Sequence, residues 1–323
     1  MASRGTLGLV GYGRFGQALA ALADEAGFAV QAFDPHAEIP AARRVSSLAR
    51  LAEACDTLLV AVPLEHTDST LCELAPHLTD AHLVLDVGSV KTAPLQAMRE
   101  LLPATTSWVA THPLFGPTSL ARGERPLRVV LCEANGDGGR GGRALWETLG
   151  CVCLEQTAEE HDRAMARSHA LAFFIAKGLV DVGAGEGAAF SPPSFDAIRQ
   201  TIQAVRSDAG HLFRSIQNRN PFAAEERARL LRALQSIDRG LAFDEDPEPA
   251  SLAPTEGLAA PAAEEDSPEE LVAELDREIF ALVQQRARIA ARARLAHPTF
   301  RGESEDAESV MVAEALRRMF ESL

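Results

Sequence analysis

A histidine and a serine stand in the two short segments of this sequence that are best suited to proton transfer. His112 lies in THPLFGP, residues 111–117, where two prolines restrict the turn. Ser89 lies in DVGSVKTA, residues 86–93. Imidazole is the side chain that most readily takes up a proton near neutral pH. The two segments therefore predict acid–base chemistry, with a purely structural turn histidine as the alternative for His112.

A glycine pattern near the start of the chain predicts a dinucleotide site. GLVGYGRFGQALA contains G-x-G-x-x-G at Gly11, Gly13 and Gly16, between an apolar run and a helical pattern. Asp34 ends the next apolar run, 18 positions after Gly16, close to the expected spacing of about 20. A carboxylate there accepts hydrogen bonds from ribose hydroxyls and repels a 2′-phosphate, which favours NAD over NADP. A glycine-rich turn without a ligand is the alternative. The predicted cofactor-binding residues are Gly11, Tyr12, Gly13, Arg14, Phe15, Gly16, Asp34, Val62 and Pro63.

Seven short apolar runs alternate with helical patterns in the first half of the chain. They are TLGLVG, FAVQAF, DTLLVAV, HLVLDVG, SWVATH, LRVVLCE and CVCLEQ. Most are continuous rather than alternating, which is typical of a parallel sheet with helices on both faces. The pattern predicts an α/β Rossmann domain, a doubly wound and mostly parallel sheet, over residues 1–156. Ligands bind at the carboxyl ends of such strands, so Ser89 and His112 are expected to face one crevice beside the cofactor.

The second half of the chain changes character. Apolar residues recur at helical spacing, which predicts an all-helical domain over residues 157–243. Residues 244–267 are rich in Pro, Ala, Asp and Glu, which indicates a disordered acidic linker. A short helical module is expected over residues 268–323.

Composition excludes several classes of function. The 323 residues carry a net charge of −15, so no basic surface is expected for nucleic acid. No apolar run approaches the length of a membrane span, and Met1–Thr6 leads directly into the first predicted strand. The five cysteines form no CxxC pair and no Cys/His cluster with zinc spacing, so we expect no metal and a cytoplasmic location.

The motifs together resemble the prephenate and arogenate dehydrogenase family. GYGRFG, AVP at 61–63, DVGSVK and HPLFGP carry the resemblance, as does EEHDRAMA at 159–166. It implies a Rossmann domain, a helical domain that forms a homodimer, and a small cyclohexadienyl substrate held between the two domains. The implied reaction is NAD-dependent oxidative decarboxylation of prephenate or arogenate in tyrosine biosynthesis. His112 would accept the hydroxyl proton, and Ser89 would orient that hydroxyl or the imidazole.

The substrate side departs from the family pattern. Phe173 stands where family members usually carry a substrate-contacting histidine. His169, one helical turn earlier, is either a substitute or an ordinary partly buried histidine. Gln203 and Ala204 stand where the family carries an arginine for a substrate carboxylate. The tentative substrate residues are Lys91, His169, Gln203 and Arg206.

The C-terminal module has a resemblance of its own. LDREIFALVQQRARIA resembles the first helix of the all-helical chorismate mutases, and Arg286 matches one of their substrate-binding arginines. Glu269 and His297 replace an expected arginine and lysine. A glutamate there would repel a dicarboxylate substrate. A degenerate module used for association is therefore favoured over an active mutase.

Three functions remain open from the sequence. The favoured one is a prephenate or arogenate dehydrogenase. The second keeps the chemistry but acts on a related compound such as 4-amino-4-deoxyprephenate. The third is a non-catalytic regulatory or scaffold protein that binds NAD. Ser89 and His112 argue against the third, whereas Phe173 and Gln203 argue for the second or third.

Overall fold

The structure is a computed structural model, and it describes residues 5–186, 190–207 and 211–242. Contacts divide the chain into two compact units, Met1–Asp246 and Pro247–Leu323. All described residues belong to the first unit. The predicted linker at residues 244–267 and the predicted module at residues 268–323 lie outside the described residues.

Seven strands form one sheet in the order β2-β1-β3-β4-β5-β6-β7. Only β5 and β6 pair in antiparallel fashion; every other neighbouring pair is parallel. The strands on either side of β1 are β2 and β3, so the chain changes direction across the sheet at β1 and opens a crevice at its carboxyl end. The predicted doubly wound, mostly parallel Rossmann sheet is confirmed. The strands are β1 (Thr6–Val10), β2 (Ala29–Phe33), β3 (Thr57–Val60), β4 (Leu83–Asp86), β5 (Ser107–Pro113), β6 (Leu127–Asn135) and β7 (Cys151–Glu155).

Helices flank the sheet and then continue alone, since no strand follows β7 among the described residues. None of the helices in this part of the chain is both long enough and apolar enough to cross a membrane. The predicted domain boundary between residues 156 and 157 stays a prediction. The helices are α1 (Arg14–Glu25), α2 (Leu48–Ala54), α3 (Thr67–Leu74), α4 (Thr92–Leu101), α5 (Pro117–Arg122), α6 (Gly138–Thr148), α7 (Ala158–Met165), α8 (Leu171–Asp181), α9 (Pro193–Ser207), α10 (His211–Arg219) and α11 (Ala223–Ala242). A π-helical turn, Ala166–Ala170, joins α7 to α8.

The core explains why the strand sequences are continuously apolar. Leu58 and Leu59 are neighbours on β3, both are fully buried, and they belong to different hydrophobic clusters. Successive side chains of a strand point to opposite faces, so both faces of the sheet are covered. A third cluster, which includes Phe173, Ile202 and Ile216, gives the helical segment a core of its own.

Candidate active site

The glycine loop after β1 has the geometry that its sequence predicts. Gly11 has a φ of +100°, and a Cβ on it would lie 2.6 Å from the carbonyl oxygen of Ala61. A Cβ on Gly16 would lie 2.4 Å from the carbonyl oxygen of Gly11. These two glycines are therefore required by the tight turn and by the close packing of α1 on β1. Val62 and Pro63 follow β3 beside the same turn, since the Gly11 Cβ would also lie 3.2 Å from the backbone nitrogen of Val62.

Gly13 has a different reason to be glycine. A Cβ built there meets no protein atom within 4 Å, so the protein's own packing does not demand it. Gly13 is the N-cap of α1, makes no side-chain cap, and precedes a first turn that contains no acidic residue. The N-terminus of a helix is a favourable place for an anion. The missing side chain thus leaves room for a phosphate at this helix end.

Asp34 follows β2 and holds the loop together through its carboxylate. It accepts hydrogen bonds from the backbone N–H groups of Tyr12, His36 and Ala37, at 2.7, 2.8 and 2.9 Å. Burial raises the pKa of Asp34, but these three donors outweigh it and bring the pKa below its ordinary value. A carboxylate can accept about four hydrogen bonds, so Oδ2, which accepts only from Tyr12, keeps an acceptor position for a ribose hydroxyl.

An aromatic contact joins the glycine loop to the turn that carries His112. The rings of Phe15, in the first turn of α1, and Phe115, in HPLFGP, have centroids 6.2 Å apart. Ser89 follows β4, and His112 is the last residue but one of β5. The two strands are parallel neighbours, with Asp86 paired to Ala110. The predicted residues therefore meet along one edge of the sheet.

His112 is buried, with 5% of its surface exposed, and its ring is paired with a second imidazole. Its Nδ1 lies 2.7 Å from Nε2 of His161, and the rings meet edge to face with centroids 5.0 Å apart. Burial holds the pKa of His112 well below its usual value, and the neighbouring His161, Lys91 and His169 lower it further. His112 is thus neutral at pH 7, as a general base must be.

His161 in turn lies 2.8 Å from a carboxylate oxygen of Asp162, through its Nδ1. A capping box between Thr157 and Glu160 begins α7 and brings both residues toward the sheet. Asp162 also accepts the backbone N–H groups of Lys91 and Thr92, at 2.8 and 2.9 Å, at the N-terminus of α4. Burial raises the pKa of Asp162, but its hydrogen bonds with His161, Thr92 and Lys91 bring the pKa below its ordinary value.

Lys91 does not fit the tentative substrate role. Its side chain is fully buried, and its ammonium group forms a salt bridge with Asp86 and donates to the carbonyl oxygen of Thr111. Asp86 also accepts from the backbone N–H of Thr111 at 3.0 Å. The ammonium group thus holds the ends of β4 and β5 together. These partners are needed because an isolated buried charge would be costly.

The other tentative substrate residues are arranged differently from one another. His169 lies in the π-helical turn, its ring edge-on to Phe173 with centroids 4.6 Å apart. Burial, aided by His161, lowers the pKa of His169 to about 4, so it is uncharged at pH 7. Gln203 is exposed on α9, and Arg206 is engaged by Glu186 at 2.7 Å. The side chain of Ser89 has no hydrogen-bond partner in the described part of the chain, which leaves it available to a ligand.

His161 and Asp162 are the functional residues that sequence analysis missed. The segment EEHDRAMA was noted for its family resemblance, but neither residue was given a role. The available signal was a titratable pair one turn after a capping box. Its partner, His112, is 49 residues away, so no local pattern connects them.

Fold and site together define a Rossmann-type dinucleotide-binding protein with a buried imidazole pair beside the binding loop. Residues 36–132 match the family model described as "Prephenate dehydrogenase, nucleotide-binding domain", a range that includes Ser89 and His112. The resemblance to the prephenate and arogenate dehydrogenase family is thereby confirmed.

Curated proteins similar to this chain carry the names of the same family. The chain is 28% identical over 174 residues to a "Probable arogenate/prephenate dehydrogenase" of Methanocaldococcus jannaschii, covering 51% of this chain and 39% of the relative. It is 27% identical over 194 residues to the chloroplastic arogenate dehydrogenase 2 of Arabidopsis thaliana, covering 58% and 54%. The match thus spans about half or less of these curated relatives.

A solved structure shares the fold. It is the prephenate dehydrogenase of A. aeolicus in complex with hydroxyphenyl propionate and NAD+, with a TM-score of 0.61 and 17% identity. The match covers 76% of this chain and 93% of that one.

Proposed function

We propose that the chain is an NAD-dependent dehydrogenase that oxidatively decarboxylates prephenate or arogenate in tyrosine biosynthesis. The observation that carries the proposal is the neutral, buried His112 next to a dinucleotide-type loop, linked through the contact of Phe15 with Phe115. One carbinol must lose a hydride and a proton together. A base and a hydride acceptor on the same edge of the sheet meet that need.

The residues of the glycine loop fit a bound dinucleotide. The open space at Gly13 and the uncapped N-terminus of α1 suit a pyrophosphate, and Oδ2 of Asp34 suits a ribose hydroxyl. Bound NAD would supply the hydride acceptor. The negative charge of Asp34 disfavours a 2′-phosphate, which supports NAD over NADP.

The chain's own residues supply the proton transfer. His112 takes the proton of the substrate hydroxyl, since its Nδ1 is already engaged with His161 and its Nε2 is the remaining base. Ser89 orients that hydroxyl or the imidazole. Loss of carbon dioxide makes the substrate ring aromatic, which drives the reaction forward.

One observation supports a related substrate as the second candidate. Phe173 stands where the family carries a substrate-contacting histidine, and Gln203 stands where it carries an arginine for a substrate carboxylate. The nearby arginines Arg199 and Arg206 are paired with Asp196 and Glu186. The ring of His169 is neutral, so it can donate one hydrogen bond and accept one. An amino-substituted cyclohexadienyl compound, such as 4-amino-4-deoxyprephenate, is therefore kept as an alternative substrate.

A homodimer formed through the helical segment belongs to the same proposal. Large apolar side chains are exposed along one stripe of α11 and invite burial against a second copy; they are Leu231, Leu234, Ile237 and Leu241. Leu234→Glu should shift the mass measured by light scattering from dimer to monomer, whereas Arg232→Glu on the same helix should not.

The five free cysteines support a cytoplasmic location.

The decisive experiment uses the purified full-length chain with NAD. Prephenate, arogenate and 4-amino-4-deoxyprephenate are supplied in turn, and NADH is followed by its near-ultraviolet absorbance. NADH formed with prephenate or arogenate supports the proposal, and formation only with the amino compound supports the second candidate. No NADH with any of them, together with measurable NAD binding, would instead identify a non-catalytic NAD-binding regulatory or scaffold protein.

A further inference from the structure

We propose that Asp162 and His161 are positioning residues that act through His112 as a proton relay. They fix the tautomer of His112 so that its Nε2 is unprotonated, and they receive part of the positive charge when His112 takes a proton. The inference rests on the proposed function, because the proton in question is that of the substrate hydroxyl.

The hydrogen bonds of Asp162 determine its protonation state. Its Oδ1 faces the backbone N–H of Lys91 and Nδ1 of His161, and its Oδ2 faces the N–H and the hydroxyl of Thr92. All four acceptor positions of the carboxylate are then in use. The two backbone groups can only donate, so an ionised Asp162 that accepts throughout satisfies every group.

The tautomers of His161 and His112 follow from these hydrogen bonds. Nδ1 of His161 must carry a proton to donate to Asp162, so in the neutral ring Nε2 is an acceptor. Nδ1 of His112, 2.7 Å away, must donate to that acceptor. A neutral His112 is thereby left with its lone pair on Nε2. This is the tautomer that a base acting on substrate requires, and Asp162 selects it through His161.

Charge explains why the cluster should accept a proton at all. With neutral rings, the buried groups are the salt-bridged pair of Asp86 and Lys91 and the unpaired charge of Asp162. The cluster therefore carries one net negative charge, and a proton placed on His112 or His161 neutralises it. The titratable groups that act on His112 are His161 from α7, Lys91 from the start of α4 and His169 from the π-helical turn. Behind them, Asp162 contacts His161 and Asp86 contacts Lys91. Cys132 and Glu133 lie on β6, the strand that pairs with His112 through Val130.

The neighbours on β6 do not change this balance. Burial raises the pKa of Cys132 to about 12, so its thiol stays neutral. Glu133 accepts the backbone N–H of Ala158 at 3.1 Å, which turns its charge toward the N-terminus of α7.

Two further contacts hold α7, the helix that carries His161 and Asp162. The side-chain amide of Asn220 donates to the backbone carbonyl of Asp162 at 2.7 Å. The guanidinium of Arg163 lies 4.1 Å from the ring centre of Phe222. Both contacts come from the segment between α10 and α11, so α7 cannot shift without breaking them. Precise placement of this kind is what a residue acting through another must have.

The test is His161→Gln in the full chain, with His82→Gln as the matched control. His82 is also a buried, hydrogen-bonded histidine, at Thr79 and Ala52, but it lies outside the cluster. In His161→Gln we expect kcat to fall about 100-fold, within the range that a positioned base supplies. KM and the Kd for NAD should change less than about 3-fold. The acid limb of kcat/KM should move to higher pH, because His161 no longer lowers the pKa of His112.

A purely structural role predicts a different pattern. It would lower stability in both variants and leave the acid limb of His161→Gln where it is in the wild type; that result would overturn the relay. If His161→Gln does not fold, Asp162→Asn is examined by the same criteria.

A second measurement does not depend on turnover. Nitrogen-15 shifts of the wild-type imidazole rings should show His112 protonated at Nδ1 and bare at Nε2 at neutral pH. The opposite tautomer would refute the relay. If the wild type oxidises none of the candidate substrates, the proposed function fails, and the nitrogen shifts decide the relay by themselves.

Discussion

The carboxylate of Asp162 accepts both the backbone N–H and the hydroxyl of Thr92, at 2.9 and 2.6 Å. A residue of α7 thus caps α4, whose own N-cap residue, Lys91, makes no side-chain capping hydrogen bond. The first helix of the helical segment is therefore tied to the Rossmann sheet at the edge where His112 lies. The joint serves both stability and the site.

Removal of this cap should be costly. Asp162→Ala leaves buried donors of Lys91, Thr92 and His161 without an acceptor, so the free energy of unfolding should fall by about 3 kcal/mol. Thr92→Val removes only one of the bonds and should cost about 1 kcal/mol. Urea unfolding followed by circular dichroism measures both. Equal losses in the two variants would show that Asp162 does not act as a shared acceptor.

His112→Asn should separate catalysis from cofactor binding. Loss of the general base is expected to lower kcat about 1000-fold, while the Kd for NAD, measured by calorimetry, stays within about 2-fold because His112 does not build the glycine loop. His66→Asn, an exposed histidine after β3, is the control and should keep wild-type kcat. A folded His112→Asn that no longer binds NAD would favour the structural turn histidine instead.

Asp34 should set the preference for NAD. The wild type is expected to have the higher kcat/KM with NAD than with NADP. Asp34→Asn removes the negative charge. The NH2 group of the new side chain, which can only donate, must then face either the N–H of Tyr12 or the N–H groups of His36 and Ala37. The Kd for NAD should then rise about 10-fold, as expected for the loss of a charge-assisted hydrogen bond, and the gap between NAD and NADP should narrow. A wild type that prefers NADP would contradict the role of Asp34.

His169 should make the fold sensitive to acid. In the folded chain its pKa is lowered to about 4 from an ordinary 6.5, whereas in the unfolded chain it titrates near 6.5. The unfolded state therefore binds more protons between these pH values, so the free energy of unfolding falls as pH drops from about 6.5 to about 4. The loss from this group is at most about 3 kcal/mol.

Comparison with His169→Gln isolates that contribution, because His112 changes stability in the same direction in both proteins. Urea unfolding at several pH values between 4 and 7 should give a shallower curve for the variant. Parallel curves would mean that the pKa of His169 is not depressed by burial.

Much of this arrangement was readable from the amino-acid order. Apolar runs of the right length predicted all seven strands, and Gly11, Gly16 and Asp34 occupy the turn that their spacing implied. Ser89 and His112 could be assigned to one edge because neighbouring parallel strands end at the same side of a sheet. These features depend on local periodicity and on backbone geometry, both of which are written into short stretches of chain.

The tertiary structure alone decided which groups surround His112. His161 contacts it from 49 residues away, and Asp162 lies behind His161. Both contacts depend on how α7 lies against the start of α4. Lys91, a tentative substrate residue from the sequence, is buried in a salt bridge with Asp86. A side chain's partners, burial and charge state are properties of packing between distant segments, so a motif can name the base but not the groups that tune it.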